Sequence, residues 1–284
     1  MNRGTRLAAL LAIAAALLST AGCDKLRARD QLNKGVRAYK SANYEQAIEH
    51  FKNAVTYDED LKVAKLYLAT AYAQQYVPGV ETQENNNWAQ QAIEEYQRVL
   101  QNEPKSVNSM KGIAYLYLNM KRFDDAREYY KRAKDVDPND PELYSSVGVI
   151  DWTEAYKNAA ELRASAGLRV EDELKSKPDQ KLCEQLRGKN AALIEEGMQM
   201  LQTAIDKRQD YDDAMVYLNL LYLRKANDTS CGDPAAQADY KRTSNDWADK
   251  AMAARKKKAD EAAKKNVGGI ILEQATPTPT PSGK

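Results

Sequence analysis

Histidine is nearly missing from this chain: His50 is the one histidine in 284 residues. A Ser/His/Asp triad has a single candidate base to draw on, and no Cys/His cluster has metal-ligand spacing. Phe 2 and Gly 13 are also low, and no glycine-rich loop resembles a phosphate cradle. Neither sign of charge dominates: Lys+Arg 42 stands against Asp+Glu 41. A nucleic-acid binder would show a basic excess. Long alternating Val/Ile/Thr runs are absent, which excludes a large sheet. The apolar run from Leu7 to Leu18 has 12 residues, too few to span a bilayer comfortably as a permanent helix. Carboxylate pairs such as Asp124-Asp125 and Asp212-Asp213 fit helix starts, where the dipole favours negative charge. No catalytic constellation emerges, and the expectation is a non-enzyme without metal or cofactor.

What is abundant points to helices. Ala, Leu, Lys, Glu and Gln are frequent, and Tyr 17 is high; the first group favours helix. At the N-terminus, Arg3 and Arg6 precede the apolar run, and Ser19-Thr20-Ala21-Gly22 leads to Cys23. A basic region, a short apolar core and a small-residue site make a secretory signal. The cysteine directly after Ala-Gly resembles a bacterial lipoprotein signal, although Thr20 stands where that family usually has leucine. The resemblance implies that residues 1–22 are removed and that Cys23 carries the lipid, the one covalent cofactor expected. Acyl chains anchor firmly, at about 0.8 kcal/mol per buried methylene. Asp24 resembles an inner-membrane retention signal of some bacteria. Residues 23–27 read as a short linker of roughly 17 Å when fully extended.

The clearest internal unit runs from Val107 to Asp140. Tyr117 lies nine residues before Ala126, Tyr130 and Ala133 follow at +4 and +7, and Pro138 closes the unit. This spacing resembles the tail of the tetratricopeptide repeat, a helix–turn–helix of 34 residues. Repeat one, 28–61, has Gly35 at the close-packing position, then Tyr44, Ala47, Phe51 and Ala54. Repeat two, 62–106, has Leu68, Ala69 and Tyr72, then Ala92, Tyr96, Val99 and Pro104. Repeat four, 141–211, carries Tyr144, Val147 and Gly148, then Gly197, Leu201 and Ala204. Repeat five, 212–258, carries Leu218, Asn219 and Tyr222, with a second helix expected from Trp247 to Lys258 around Ala251.

Against the nine positions of the reference unit, the corresponding interval is 20 from Tyr72 to Ala92, 46 from Asp151 to Gly197 and 29 from Tyr222 to Ala251. Repeats two, four and five thus carry insertions between their two helices. In repeat four the insert reads mostly as helix extension, broken at Lys177-Pro178. The resemblance implies an all-α, right-handed solenoid of about five helical hairpins over residues 28–258, in which stacking buries what one hairpin cannot. The insertions would share one edge as a second surface, and removal of Glu161 to Pro178 would spare folding. From Ala259 the pattern decays: Val267 to Leu272 is a short apolar patch, and 259–284 reads as a tail whose Thr/Pro alternation from Thr276 to Pro281 is extended and disordered.

The same resemblance implies a concave groove lined by the first helix of each repeat. Its positions here are Tyr39 and Lys40, Thr70, Ala73 and Gln74, Tyr115, Leu118 and Asn119, Val149 and Trp152, and Leu220, Leu223 and Arg224. The mixture is aromatic and polar with little net charge, suiting a helix or extended peptide better than a terminal carboxylate. Cys183 and Cys231 remain once Cys23 is lipidated. An even pair in an oxidising compartment suggests one disulfide between the insertions, with separate thiols as the alternative. The basic stretch Arg255 to Lys258 with Lys264-Lys265 reads as a solvated helix face or as a contact for anionic lipid.

The functional expectation is an exported, membrane-anchored scaffold for other proteins of a bacterial cell envelope, facing the periplasm in a Gram-negative cell. It resembles in architecture the tetratricopeptide lipoproteins of outer-membrane barrel assembly and pilus biogenesis. One rival is a small-molecule or glycan-binding module roofed by the insertions, with Trp152, Tyr156 and Tyr211 as candidate lining. The other is a cell-wall-acting enzyme, which needs paired acids in a cleft.

Overall fold

The computed structural model describes the backbone of residues 23–172, 174 and 179–273, and among them there is no strand. The helices are α1 (residues 23–40), α2 (Tyr44–Tyr57), α3 (Lys62–Gln75), α4 (Gln83–Asn102), α5 (Val107–Asn119), α6 (Phe123–Val136), α7 (Pro141–Ser165), α8 (Gln180–Lys207), α9 (Asp212–Arg224) and α10 (Pro234–Glu273). Local chemistry sets several starts. The Asn43 side chain accepts from the Gln46 N–H at the head of α2, and the Thr82 hydroxyl accepts from Asn85 at the head of α4. Asp140 accepts from Glu142 ahead of Pro141 in α7. Such caps satisfy N–H groups that a helix leaves orphaned, and proline at the first position loses nothing there.

The chain divides into two compact units at Asp137/Pro138, the proline stop of the third repeat. In the first unit α2 packs on α3, α3 on α4, α4 on α5 and α5 on α6. The repeat positions form its core: Ala47, Phe51, Ala54, Leu68, Ala69, Tyr72, Ala92, Tyr96, Val99, Ala114, Ala126 and Ala133 are all buried. Gly35 earns its place by proximity, since a Cβ there would lie 2.5 Å from the Phe51 ring. Burying a side chain the size of Phe51 contributes about 1.5–3 kcal/mol.

In the second unit α7 packs on α8, α8 on α9 and α9 on α10. Leu201, Ala204, Leu218 and Ala251 join Ile194, Ile205 and Leu221 in one cluster. Gly148 and Gly197 let α7 and α8 approach closely. A Cβ on Gly148 would stand 2.5 Å from Leu201 Cγ and 3.0 Å from the Gly197 carbonyl oxygen.

The structure departs from the sequence reading in four places. Residues 23–27, read as an extended linker, are already helical. The second helix of repeat five starts at Pro234, not Trp247, and continues to Glu273, so residues 259–273 are helix where a tail was expected. Residues 274–284, with the Thr/Pro alternation, lie outside the described residues, as do 1–22 with the signal. The repeat-four insertion is not confined to a surface edge: Arg163 is fully buried, and Leu174 joins Ala159, Leu182, Cys183, Leu186 and Cys231 in a second cluster.

Candidate functional site

The first-helix positions fall into one group per unit. In the first unit the half-buried Tyr39 of α1 meets Tyr44 edge-on at 5.4 Å and Tyr67 at 6.4 Å. Burial, the largest effect, pushes its phenol above the ordinary value, with the Gln74 side chain of α3 lowering it in part. Lys40 and Gln74 are exposed. Tyr115 of α5 is 51% exposed. Asn119, one turn on, donates to the Tyr115 carbonyl at 2.8 Å.

In the second unit Trp152 of α7 is the centre. It stacks on Tyr156 at 5.5 Å and meets Tyr217 of α9 edge-on at 5.3 Å. Val149 lies one turn before Trp152, and its carbonyl accepts from the Thr153 hydroxyl. Trp152 and Tyr217 rest on the unit's core while remaining partly exposed. Tyr211 takes no part in this group as described: its ring lies 3.4 Å from the Arg208 guanidinium.

Arg224 requires a correction. Sequence reading places it on the partner-binding face, but the side chain is 6% exposed and turned into the protein. Burial depresses its pKa, opposed by the nearby Asp228 carboxylate. Asp228 sits in a π-helical turn (Lys225–Thr229) that continues α9. It pairs with Arg163 at 3.0 Å and with Arg224 at 3.7 Å. Arg163 also donates to the carbonyls of Asp172 and Asn227. Asn190 of α8 donates to Asp228 Oδ2 and to the Ala155 carbonyl. This network ties α7, α8, the inserted loop and the π turn together. Its members lie up to 65 residues apart, and no local pattern announces them. The face of Arg224 still reaches the aromatic group, 5.8 Å from the Tyr156 ring centre.

Cys183, in the first turns of α8, and Cys231, just past the π turn, are joined as a disulfide with Cα atoms 5.9 Å apart. The bond links the insertions of repeats four and five. Cys23 is exposed and unpaired in α1. His50 is half-buried, with Nδ1 2.8 Å from Gln31 Oε1. Arg255 bridges Asp212 and Asp213, and Lys258 bridges Asp212. Part of the basic stretch therefore fastens α10 to α9. Among the described residues no group of three or more His, Cys, Asp and Glu could hold a metal ion. No described helix is long and apolar enough to cross a membrane.

Residues 88–148 match the model of the tetratricopeptide repeat. The crystal structure of MamA superposes with a TM-score of 0.53 at 12% identity, covering 82% of this chain and 94% of that one. A MamA from Desulfovibrio magneticus RS-1, residue 41 to the end, gives 0.54 at 14% identity, covering 81% and 96%. The chain has a tetratricopeptide-repeat fold. At such identities the likeness concerns the fold alone. A search of curated proteins finds no match. A tetratricopeptide fold supports a scaffold for protein–protein contact.

Proposed function

We propose that this chain is a non-catalytic scaffold, anchored to a bacterial membrane through lipid on Cys23, that docks other envelope proteins on its first-helix faces. The observation carrying this reading is the Trp152–Tyr156–Tyr217 group. Trp152 is flanked by two tyrosine rings, Tyr156 of α7 and Tyr217 of α9, and all three stay at least partly exposed. Rigid, partly exposed aromatics on a preformed helical scaffold supply contact area at small ordering cost, and such residues dominate binding energy at interfaces. Tyr39, Lys40, Gln74, Tyr115 and Asn119 offer a comparable mixed face in the first unit. The occupant is a helix or extended segment with apolar anchors. Anchoring rests on the Ala21-Gly22-Cys23 sequence, and Cys23 at the head of a helix would hold the first unit close to the lipid surface.

A photo-crosslinking residue at position 156 tests the docking face in cells. A discrete protein adduct at 156, absent with the same residue at the exposed Tyr57, is the expected result. Equal labelling at both positions would sink the proposal. Substitution of Cys23 by alanine should release the protein from membranes on fractionation.

A further inference from the structure

The insertion in repeat two builds a second surface unrelated to the aromatic face of α7 and α9. After α3, residues 76–82 turn at Pro78-Gly79, where Gly79 adopts φ +82°. Asn85, 5% exposed, fixes this loop from inside. Its Oδ1 accepts from the Val77 N–H at 2.7 Å, and its Nδ2 donates to the Val77 and Val80 carbonyls at 2.9 and 2.7 Å. The loop therefore has a set shape, held by a side chain whose polar atoms are all engaged.

Beside it the next repeat closes with a short connection, Asn119-Met120-Lys121, in which Lys121 takes φ +60°. Between the two connections lies an open cleft of about 630 Å³, within the range of small-ligand sites. Tyr76, Val80 and Met120 form its apolar lining; Glu81, Asn86, Asn87, Gln90, Asn119 and Lys121 contribute the polar groups. Tyr76 is nearly buried, and burial, the largest effect, raises its phenol further above neutral pH, where an ordinary phenol is already protonated. The side chains of Glu81, Asn86, Asn87 and Lys121 have no protein partner among the described residues.

Charge and polarity narrow the ligand. Glu81 and Lys121 offset one another, which disfavours a phosphate or a peptide carboxylate. The lining mixes apolar and polar groups, which suits a ligand with both kinds of face. Each carboxamide both donates and accepts, which matches hydroxyl groups that do the same, and a tyrosine ring supplies a flat apolar wall beside them. We infer that the cleft between the repeat-two and repeat-three connections binds a neutral, hydroxyl-rich saccharide. Asn86 and Asn87 hydrogen-bond its hydroxyls, and Tyr76 lines its less polar face.

Calorimetric titration of the purified protein with maltotriose, cellotriose and chitotriose tests this. At least one should bind with a dissociation constant of about 1 mM or tighter. Asn86→Ala/Asn87→Ala, at exposed positions, should weaken it at least about tenfold, since a site built around hydroxyl hydrogen bonds loses discrimination without them. Tyr76→Phe should weaken it while keeping the ring in place. Trp152→Ala should leave it unchanged, which separates this site from the aromatic group of α7 and α9. No binding of any of the three at about 10 mM, or binding indifferent to the Asn substitutions, overturns the inference. So does an extended neutral peptide, (Ala-Ser)4, binding through Asn86 and Asn87 when no saccharide does.

Discussion

Asp228 meets two guanidinium groups at once, those of Arg163 and Arg224, in surroundings that exclude water from all three. Asp228→Ala leaves Arg163 buried and unpaired, and removing one partner of a buried ion pair costs about 3–5 kcal/mol. Urea unfolding should show that loss for the second unit; a shift below about 1 kcal/mol would mean the pair contributes little. Asp212 acts at the surface and responds to pH. Lys258 and Arg255 hold its carboxyl below the ordinary carboxylate range. A carboxyl depressed in the folded state contributes stability above its unfolded value, near 3.9, and loses it as pH falls through the lower folded value. Wild type should thus lose more stability than Asp212→Asn on acidification from about pH 5 to pH 3. Parallel acid profiles for the two proteins would show that the bridges to α10 add nothing.

Helices differ in how plainly the sequence shows them, and the reason is what each buries. The two helices of repeats one to three are legible because Ala, Tyr and Phe recur at buried positions with fixed spacing. The start of α10 is not: between Pro234 and Lys264 only Ser244 and Ala251 are buried, so no apolar period forms. What starts it is local, the Asp233 carboxylate accepting from the Ala236 N–H ahead of Pro234. The groove positions were legible as surface only where nothing distant competed. Arg224 was misread because, besides Asp228 four residues on, what surrounds it comes from the inserted loop at Val170 and from Tyr156 of α7, far along the chain. Close approach between α7 and α8 depends on Gly148. Gly148→Ala should cost about 1–3 kcal/mol by overpacking against Leu201 and the Gly197 carbonyl, read from the thermal midpoint. Cys231→Ser opens a link across 48 residues, and loop-closure entropy puts its loss at about 4 kcal/mol. An unchanged midpoint under non-reducing conditions would show that the bond is not formed in solution.

At the scale of the molecule, each unit has a core of its own, and each presents first-helix side chains that stay at least partly exposed. In the first unit these are Lys40, Gln74 and Tyr115; in the second they are Trp152, Tyr156 and Tyr217. A fold built this way supports docking. The most direct measurement is affinity capture from detergent-solubilised envelope, comparing wild type with Tyr115→Ala/Trp152→Ala under conditions where both proteins retain full helicity by circular dichroism. The expected result is a defined protein partner captured by wild type and lost, by about tenfold or more, in the substituted protein. The same partner captured equally by both would contradict docking on the first-helix faces.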